Sequence, residues 1–210
     1  MCCRYWMEES PELRPFVEQV NRAPLKEKMV SKLARPIKTS GEIRPTDMVP
    51  VVAPSPKGEA VVYPMVWGFS NPKAGSPIVN ARVETASSKS LWKEAWEKHR
   101  CVIPASWYYE WEHLVSPDGR TKTGPKYMIQ PKGCKITYLA GLYRIEEKGN
   151  LKYPVFTVLT REPGDEIRFI HDRMPLILPS DSVRSWIKPD GNPKEILDSA
   201  LTDMVFEKIG

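Results

Sequence analysis

The sequence predicts one α+β domain over residues 1–210, with a curved, mostly antiparallel β-sheet or barrel-like core and short helices at its periphery. Three observations carry this. Apolar runs of strand length recur through the second half, separated by short turn sequences. The stretches with helical periodicity are all brief. Proline, 21 of 210 residues, stands at about twice its usual ~5% share, which favours turns and strand ends over long helices. No internal repeat and no Gly/Ser-rich linker divides the chain, and its length suits a single compact domain.

Taken in order, Ser10-Pro11-Glu12 reads as an N-cap with proline at the first helical position. Leu13, Phe16, Val17 and Val20 follow at helical spacing to about Arg22. Leu25, Met29, Val30 and Leu33 mark a second short helix, and residues 35–45, with Pro36, Gly41 and Pro45, read as loop. Residues 49–53 and 60–67 are strands joined by the turn SPKGE, and a Gly/Pro/Ser-rich loop covers 68–77. Residues 88–99 are helical, with Leu91, Trp92, Ala95 and Trp96 on one side. Strands then follow over 101–105, 107–115, 126–130, 136–145 and 153–160, with SPDG, PKG and EKGN as turns. A short helix over 165–170 precedes His171, residues 175–178 are apolar and extended, and small helices over 182–187 and 193–201 close the reading.

Composition excludes several classes. At 41% hydrophobic and 27% charged residues the chain is globular, neither disordered nor collagen-like. The longest uncharged apolar run, 60–69 with Pro64 inside it, is far short of the ~20 residues a membrane-spanning helix needs. The opening MCCRYWMEES has no apolar h-region, so no signal peptide and no disulfide-forming compartment is expected. The net charge of +5 is compatible with a phosphate-bearing partner. Of the four cysteines, Cys101 and Cys134 read as buried small hydrophobes. No CxxC pair or Cys/His spacing suggests a metal.

Four polar islands interrupt apolar sequence. In 80–85, Asn80, Arg82 and Glu84 share one face if the segment is extended, while Ala81 and Val83 face the core; a solvated strand edge is the alternative. In 107–111, Trp107, Tyr109 and Trp111 point one way and Tyr108 and Glu110 the other. A carboxylate among aromatics is desolvated, which raises its pKa and suits it to proton transfer, unless Glu110 lies on a wet face. In 171–175, His171 sits between an apolar helix end and an apolar strand, as a neutral-pH proton carrier or a structural histidine; His99 and His113 lie beside charges in exposed segments. The fourth island is Cys2-Cys3-Arg4. An initiator Met before a small residue such as Cys is usually removed, leaving Cys2 with a free α-amine beside its thiol; alternatively Cys2 is an incidental residue near a frayed terminus. An α-amine of pKa ~7.7–8.0 is roughly one-third unprotonated at pH ~7.5, where lysine at ~10.4 is about a thousandth. Such an aminothiol forms a Schiff base with an aldehyde and closes it to a thiazolidine. With Met1 retained, that nitrogen is an amide and the ring cannot form.

Cys2 with Arg4, Arg-Pro-Thr at 44–46, Trp67-Gly68, and the islands at 80–85, 107–111 and 171–175 closely resemble, in order and spacing, the SRAP family of SOS-response-associated peptidase-like, abasic-site-processing proteins. The resemblance runs from residue 2 to about 187. It implies a β-rich single domain that binds single-stranded DNA in a basic groove and crosslinks covalently to the ring-opened abasic-site aldehyde. Carried over by motif, Cys2 is the nucleophile, Asn80 positions it, and Glu110 and His171 move protons. Arg4, Pro45, Trp67, Arg82, Thr160 and Arg173 contact DNA, with Trp67 as a base-stacking surface. Two features depart from the family pattern: Cys3 replaces the usual glycine, and the 68–77 loop differs, with Phe69 near where a second groove aromatic is expected. The expectations are a monomer with no cofactor, no metal and no membrane association, cytoplasmic and nucleoid-associated when acting on DNA. Two other readings stay open: an N-terminal-nucleophile cysteine hydrolase or peptidase acting without DNA, and a non-catalytic single-stranded-DNA-binding module.

Overall fold

The computed structural model describes residues 2–116 and 118–210; Met1 and Pro117 lie outside the described residues, and so does the part of the SPDG turn that falls on Pro117. In chain order the elements are β1 (Arg4–Met7), α1 (Arg14–Asn21), α2 (Lys26–Leu33), β2 (Gly41–Ile43), β3 (Met48–Pro54), β4 (Ala60–Trp67), β5 (Asn80–Arg82), α3 (Val83–Ala86), α4 (Ser90–Lys98), β6 (Arg100–Ala105), β7 (Trp107–Val115), β8 (Thr121–Pro131), β9 (Thr137–Lys148), β10 (Leu151–Arg161), β11 (Met174–Pro175), β12 (Ile177–Leu178), α5 (Val183–Ile187), α6 (Pro193–Asp198) and β13 (Met204–Lys208).

Strands β3, β4, β10, β9 and β6 pair in a ring and close a five-stranded barrel. All its pairings are antiparallel except β4 with β10. A second, wholly antiparallel sheet runs β13-β8-β7-β1-β2 and packs on the barrel. The barrel strands are buried on both faces, which is why β3 reads as an unbroken apolar run with only Pro54 outside the core. Val49, Val51 and Ala53 face a core shared with Met65, Ile103, Leu139, Phe156 and the five-stranded sheet. Met48, Val52, Val102, Ala140 and Leu142 face the helices through Val20, Met29, Trp92, Trp96 and Trp186. The barrel is tight at Gly141, where a Cβ would stand 2.7 Å from Ile103 Cδ1 and 2.8 Å from the Thr157 carbonyl oxygen.

The α+β class, the helices at α1, α2, α4, α5 and α6 and the long strands follow the sequence reading. Several details differ. Helix α1 begins at Arg14 with Pro15 in its first turn, because Ser10 Oγ caps the preceding turn at Leu13 N–H (3.3 Å) instead of the helix itself. Leu91 is 43% exposed while Trp92, Ala95 and Trp96 are buried. Residues 41–43 form a strand within the expected loop, recruited by pairing with β1. The extended segment at 80 ends at Arg82 and turns into α3, so Glu84 leaves the face of Asn80. The helix expected over 165–170 is a 3₁₀ turn at Asp165–Ile167. The chain also returns as β13, a five-residue edge strand with only Met204 buried, which the sequence reading did not include.

One buried charge ties the helices to the barrel. Arg100 is 2% exposed, and its five N–H donors meet only backbone carbonyls. Nε reaches Trp186 (2.7 Å), Nη1 reaches Trp96 and Glu97 (2.6 and 3.1 Å), and Nη2 reaches Lys188 and Gly191. These are the orphan carbonyls at the ends of α4 and α5 and the loop beyond, and a cation there also suits the C-terminal ends of the helix dipoles. Arg100→Met should therefore cost at least about 3 kcal/mol in urea unfolding, since several buried carbonyls lose their donor at once. Arg184→Met, at an exposed position, should stay within about 0.5 kcal/mol. Equal effects of the two changes would remove this role for Arg100.

Candidate functional site

Strand β1 lies inside the five-stranded sheet, between β2 and β7, so the first described residues of the chain enter the molecule instead of fraying from it. Tyr5 and Met7 point inward and are buried, while Arg4 and Trp6 face outward. Continued backward, that alternation would put Cys2 outside. The chain leaves the strand before Arg4, however, and Cys2 is fully buried with its thiol toward the Arg4 carbonyl, 3.8 Å away. Cys3 is half-buried.

The segment holding Asn80 is placed by parallel pairing of β5 with β10, which sets Asn80 beside Val158. Its Nδ2 donates to the Cys2 carbonyl at 2.8 Å, and its Oδ1 is buried with no hydrogen-bond partner among the described residues. On β7, Tyr108 and Glu110 share a face as the alternation required, and it is the inward one: both are buried. Tyr108 stands opposite Tyr5, and neither phenol has a hydrogen-bond partner among the described residues. Buried polar atoms are normally paired, so Asn80 Oδ1 and these two hydroxyls mark a polar spot within the core around Cys2.

Electrostatics tie the group together. Burial, then the Glu110 carboxylate, push the Cys2 thiol well above its usual value. Burial pushes the Glu110 carboxyl above the usual carboxylate range. His171, 6% exposed, follows a 3₁₀ turn and accepts the Arg173 N–H at Nδ1 (3.0 Å), with Asp172 Oδ1 2.7 Å from the same nitrogen. Burial lowers its pKa to about 4, with neighbouring His113 adding to the effect. His171 is therefore neutral near pH 7 and takes up a proton only transiently, whereas the sequence suggested a group titrating near neutrality.

The residues expected to touch DNA divide into two sets. Arg82 is exposed, Pro45 is half-exposed in a turn, and the Arg4 side chain is 35% exposed between Glu42 (3.0 Å) and the Trp111 ring (5.2 Å). Trp67, Thr160 and Arg173 are buried. Trp67 stacks on Phe156 and donates Nε1–H to the Val79 carbonyl (3.0 Å), so its ring offers no face to a base. Its neighbour Gly68 has φ +116, and a Cβ there would stand 2.6 Å from Pro77. Trp67 also exchanges backbone hydrogen bonds with Thr46 and Asp47, which clips the 44–46 turn in place. Arg173 forms a two-pronged pair with Glu84 (2.8 and 2.9 Å) and donates to the Thr160 carbonyl (2.7 Å). Phe69 is likewise buried, under Arg144.

Other residues join that sequence reading passed over. Lys126 lies 3.8 Å from the centroid of Tyr109 and, with Arg4 and Arg44, bonds Glu42. Burial would raise the Glu42 carboxyl, but hydrogen bonds from Arg44 and Lys126 hold it below its usual value. Three cations around one carboxylate leave a positive edge, beside outward-facing Trp6, Trp107 and Trp111. The sequence places His113 in an exposed segment. It is exposed, but its ring lies 4.0 Å from that of His171, beside the point where one extra residue in β8 shifts the β7–β8 register. His113, His171 and Asp172 form a group whose ligand atoms lie within 4.8 Å of one another, where the sequence showed no metal-binding cluster. Among the described residues no helix is long and apolar enough to cross a membrane.

A family model described as SOS response associated peptidase (SRAP) matches residues 1–209. The abasic site processing proteins YoaM and YobE of Bacillus subtilis are each 34% identical over 142 residues, 64% of this chain and 60% and 62% of their own. The abasic site processing protein YedK of Escherichia coli is 28% identical over 143 residues, 68% of this chain and 62% of its own. The chain thus spans about three-fifths of the length of these relatives. Among solved structures, a protein from Bacteroides thetaiotaomicron superposes with a TM-score of 0.73 at 19% identity, covering 100% of this chain and 92% of that one. A phage-related protein from Bordetella bronchiseptica gives 0.69 at 22%, covering 99% and 94%. At these identities the structural likeness shows the fold, one mixed domain built on antiparallel sheet.

The state of His171 has a consequence for stability. Its pKa of about 4 in the folded chain lies below its ordinary 6.5, so between those values the unfolded chain binds more protons. Its contribution is complete above about pH 6.5 and is lost as pH falls toward about 4. Urea unfolding at about pH 7 and about pH 5 should show a loss of stability in wild type that is smaller in His171→Gln. The same loss in both proteins would mean that His171 is not buried neutral.

Proposed function

The chain belongs to the SOS response associated peptidase (SRAP) family, and from that premise we propose that it captures abasic sites in single-stranded DNA by a covalent bond to Cys2. The substrate class comes from its relatives, which bear the name abasic site processing protein. The observation that carries the reading is the convergence on Cys2: Asn80 holds its carbonyl at 2.8 Å, and a buried Glu110 carboxylate acts on its thiol.

The chemistry belongs to chains that begin at Cys2, whose nitrogen is then a free amine. An abasic site opens from its hemiacetal to an aldehyde. The Cys2 amine adds to that carbonyl, and the carbinolamine loses water to give a Schiff base. The thiol then adds to the imine carbon while its proton passes to nitrogen, closing a five-membered thiazolidine. Each step needs a proton delivered or removed beside the amine. Glu110, its pKa raised by burial, supplies the carboxylic acid that protonates the leaving hydroxyl, and as carboxylate takes the proton back. His171, neutral, accepts a proton from the sugar oxygen side. Asn80 orients the terminus and offers Oδ1 to the amine.

DNA affinity in this reading comes from Arg82, Arg4 and the half-exposed Pro45 turn. Trp67, Thr160 and Arg173 serve from behind the surface: Trp67 fixes that turn, and Arg173, held by Glu84 and the Thr160 carbonyl, fixes the strand after His171.

Protein processed to Cys2 and incubated with abasic single-stranded DNA should run as a denaturation-resistant adduct on a gel, with none on undamaged DNA. Cys2→Ala should lose the stable adduct, and Glu110→Gln should slow its formation by up to about 10²-fold while leaving DNA binding intact. A wild-type yield of stable adduct from Cys2→Ala sinks the thiazolidine. Peptide cleavage without DNA would favour the hydrolase, and equal binding of intact and abasic strands without adduct would favour the plain binding module.

Salt dependence separates the phosphate contacts. Arg82→Ala should reduce the slope of log affinity against log salt by about one unit, and Arg4→Ala by less, because Glu42 already engages Arg4. Unchanged slopes in both variants would place the DNA elsewhere.

A further inference from the structure

We propose that His113, His171 and Asp172 form a binding site for one divalent transition-metal ion of the zinc class, and that occupancy of this site switches off the reaction proposed above. The three side chains come from two segments that are distant in sequence. The register between β7 and β8 shifts just before His113, where β8 carries one extra residue, and the His113 N–H donates to the Ile170 carbonyl at 3.0 Å, locking that strand to the turn that precedes His171. The imidazole rings of His113 and His171 lie 4.0 Å apart at 51°, and Asp172 Oδ1 is 2.7 Å from His171 Nδ1. One ligand atom from each residue falls within 4.8 Å of the other two.

Two imidazoles and one carboxylate are the donor set of three-ligand zinc sites that keep an open position, and imidazole also suits cobalt, nickel and copper. Metal–ligand bonds of about 2.0–2.1 Å put the donor atoms of a tetrahedral site about 3.3 Å apart, so the present group must tighten by roughly 1–1.5 Å. The distribution of burial permits this. His171 is buried and fixed, while His113 and Asp172 are exposed, Asp172 at 76%, and free to close on a cation. The His171 nitrogen that faces Asp172 now accepts the Arg173 N–H. A metal on that nitrogen replaces this hydrogen bond, so binding is weaker than at a structural zinc site and reversible. No side chain other than these three is needed, and the fourth position stays open to water.

The binding stands on geometry alone. Its consequence rests on the proposed function: a metal that occupies the His171 lone pair prevents that imidazole from accepting a proton at the sugar.

Titration with Co²⁺ in the absence of DNA, followed by visible absorption, tests the site directly, and Zn²⁺ should displace the signal. One Co²⁺ should bind per chain without a thiolate charge-transfer band, which separates this site from Cys2 and Cys3. His113→Gln and Asp172→Asn should each weaken binding at least about tenfold, since loss of even an outer-shell partner costs a metal site 10–100-fold. Unfolding curves on both variants show whether they remain folded. Two variants far apart in their effect on stability but alike in losing metal support the site. Absence of saturable binding, a thiolate band, or unchanged affinity in both folded variants overturns it. In the crosslinking assay, Zn²⁺ should slow adduct formation by wild type, and the ratio of rates without and with Zn²⁺ should fall toward one in His113→Gln. Metal binding in a protein that never forms an adduct would refute the proposed function and leave the site standing. Adduct formation at equal rates with and without saturating Zn²⁺ would refute the switch.

Discussion

The placement of β1 between β2 and β7 is the constraint on which the site depends. A chain terminus is usually mobile, because few contacts order it. Here both edges of Arg4–Met7 are hydrogen-bonded, and Tyr5 and Met7 are buried in the core. The residues just before the strand inherit that order, and Asn80 adds a hydrogen bond to the Cys2 carbonyl from a different sheet. In the proposed reaction, Cys2 at such a position loses little conformational entropy when a bond fixes it, since folding has already fixed it.

Burial also sets the protonation states around Cys2. It acts in opposite directions on Glu110 and His171, because desolvation always disfavours the charged form. Glu110 is pushed toward the neutral acid and His171 toward the neutral base. Two groups that begin as carboxylate and imidazole in water are thereby drawn toward states suited to exchanging protons with a neutral substrate, without a formal charge buried between them. The thiol is raised in the same way. A thiol in this setting is a poor free nucleophile, which fits the proposed order in which the amine reacts before the sulfur.

Cations are used in two distinct ways. Arg100 is buried and spends every donor on carbonyls at helix ends, so it acts as a structural pin. Arg173 spends its charge on Glu84 inside the molecule. Arg4, Arg44 and Lys126 instead gather around Glu42 at the surface, where one carboxylate neutralises only part of their charge and holds the side chains in place. The fixed aromatic rings beside them carry Arg4 and Lys126 over their faces, the geometry that cation–π attraction favours.

By itself, the sequence determined the fold class, most of the strands and that Tyr108 and Glu110 share a face, because these follow from local periodicity and from proline and glycine punctuation; which way that face points was left to the tertiary structure. Its ordered motifs also pointed to Cys2, Asn80, Glu110 and His171, although not to how they meet. The tertiary structure decided what periodicity cannot carry. The three residues of β2 became a strand only because β1 lay beside them, and β13 only because β8 had a free edge. Trp67 and Thr160 lie on strands with both faces covered, and Arg173 is buried just before β11, so residue type alone could not tell a groove from a core. Nothing local in the sequence sets Arg100 apart; five carbonyls from the ends of α4 and α5 and the loop beyond meet around it only in the folded chain. His113 and His171 are far apart in sequence, and their rings meet because β7 runs beside the turn before His171, where the His113 N–H bonds the Ile170 carbonyl. The alternation that places Tyr108 and Glu110 is a property of one strand. The contacts that make a site belong to pairs of strands, and their register is settled only when the whole sheet closes.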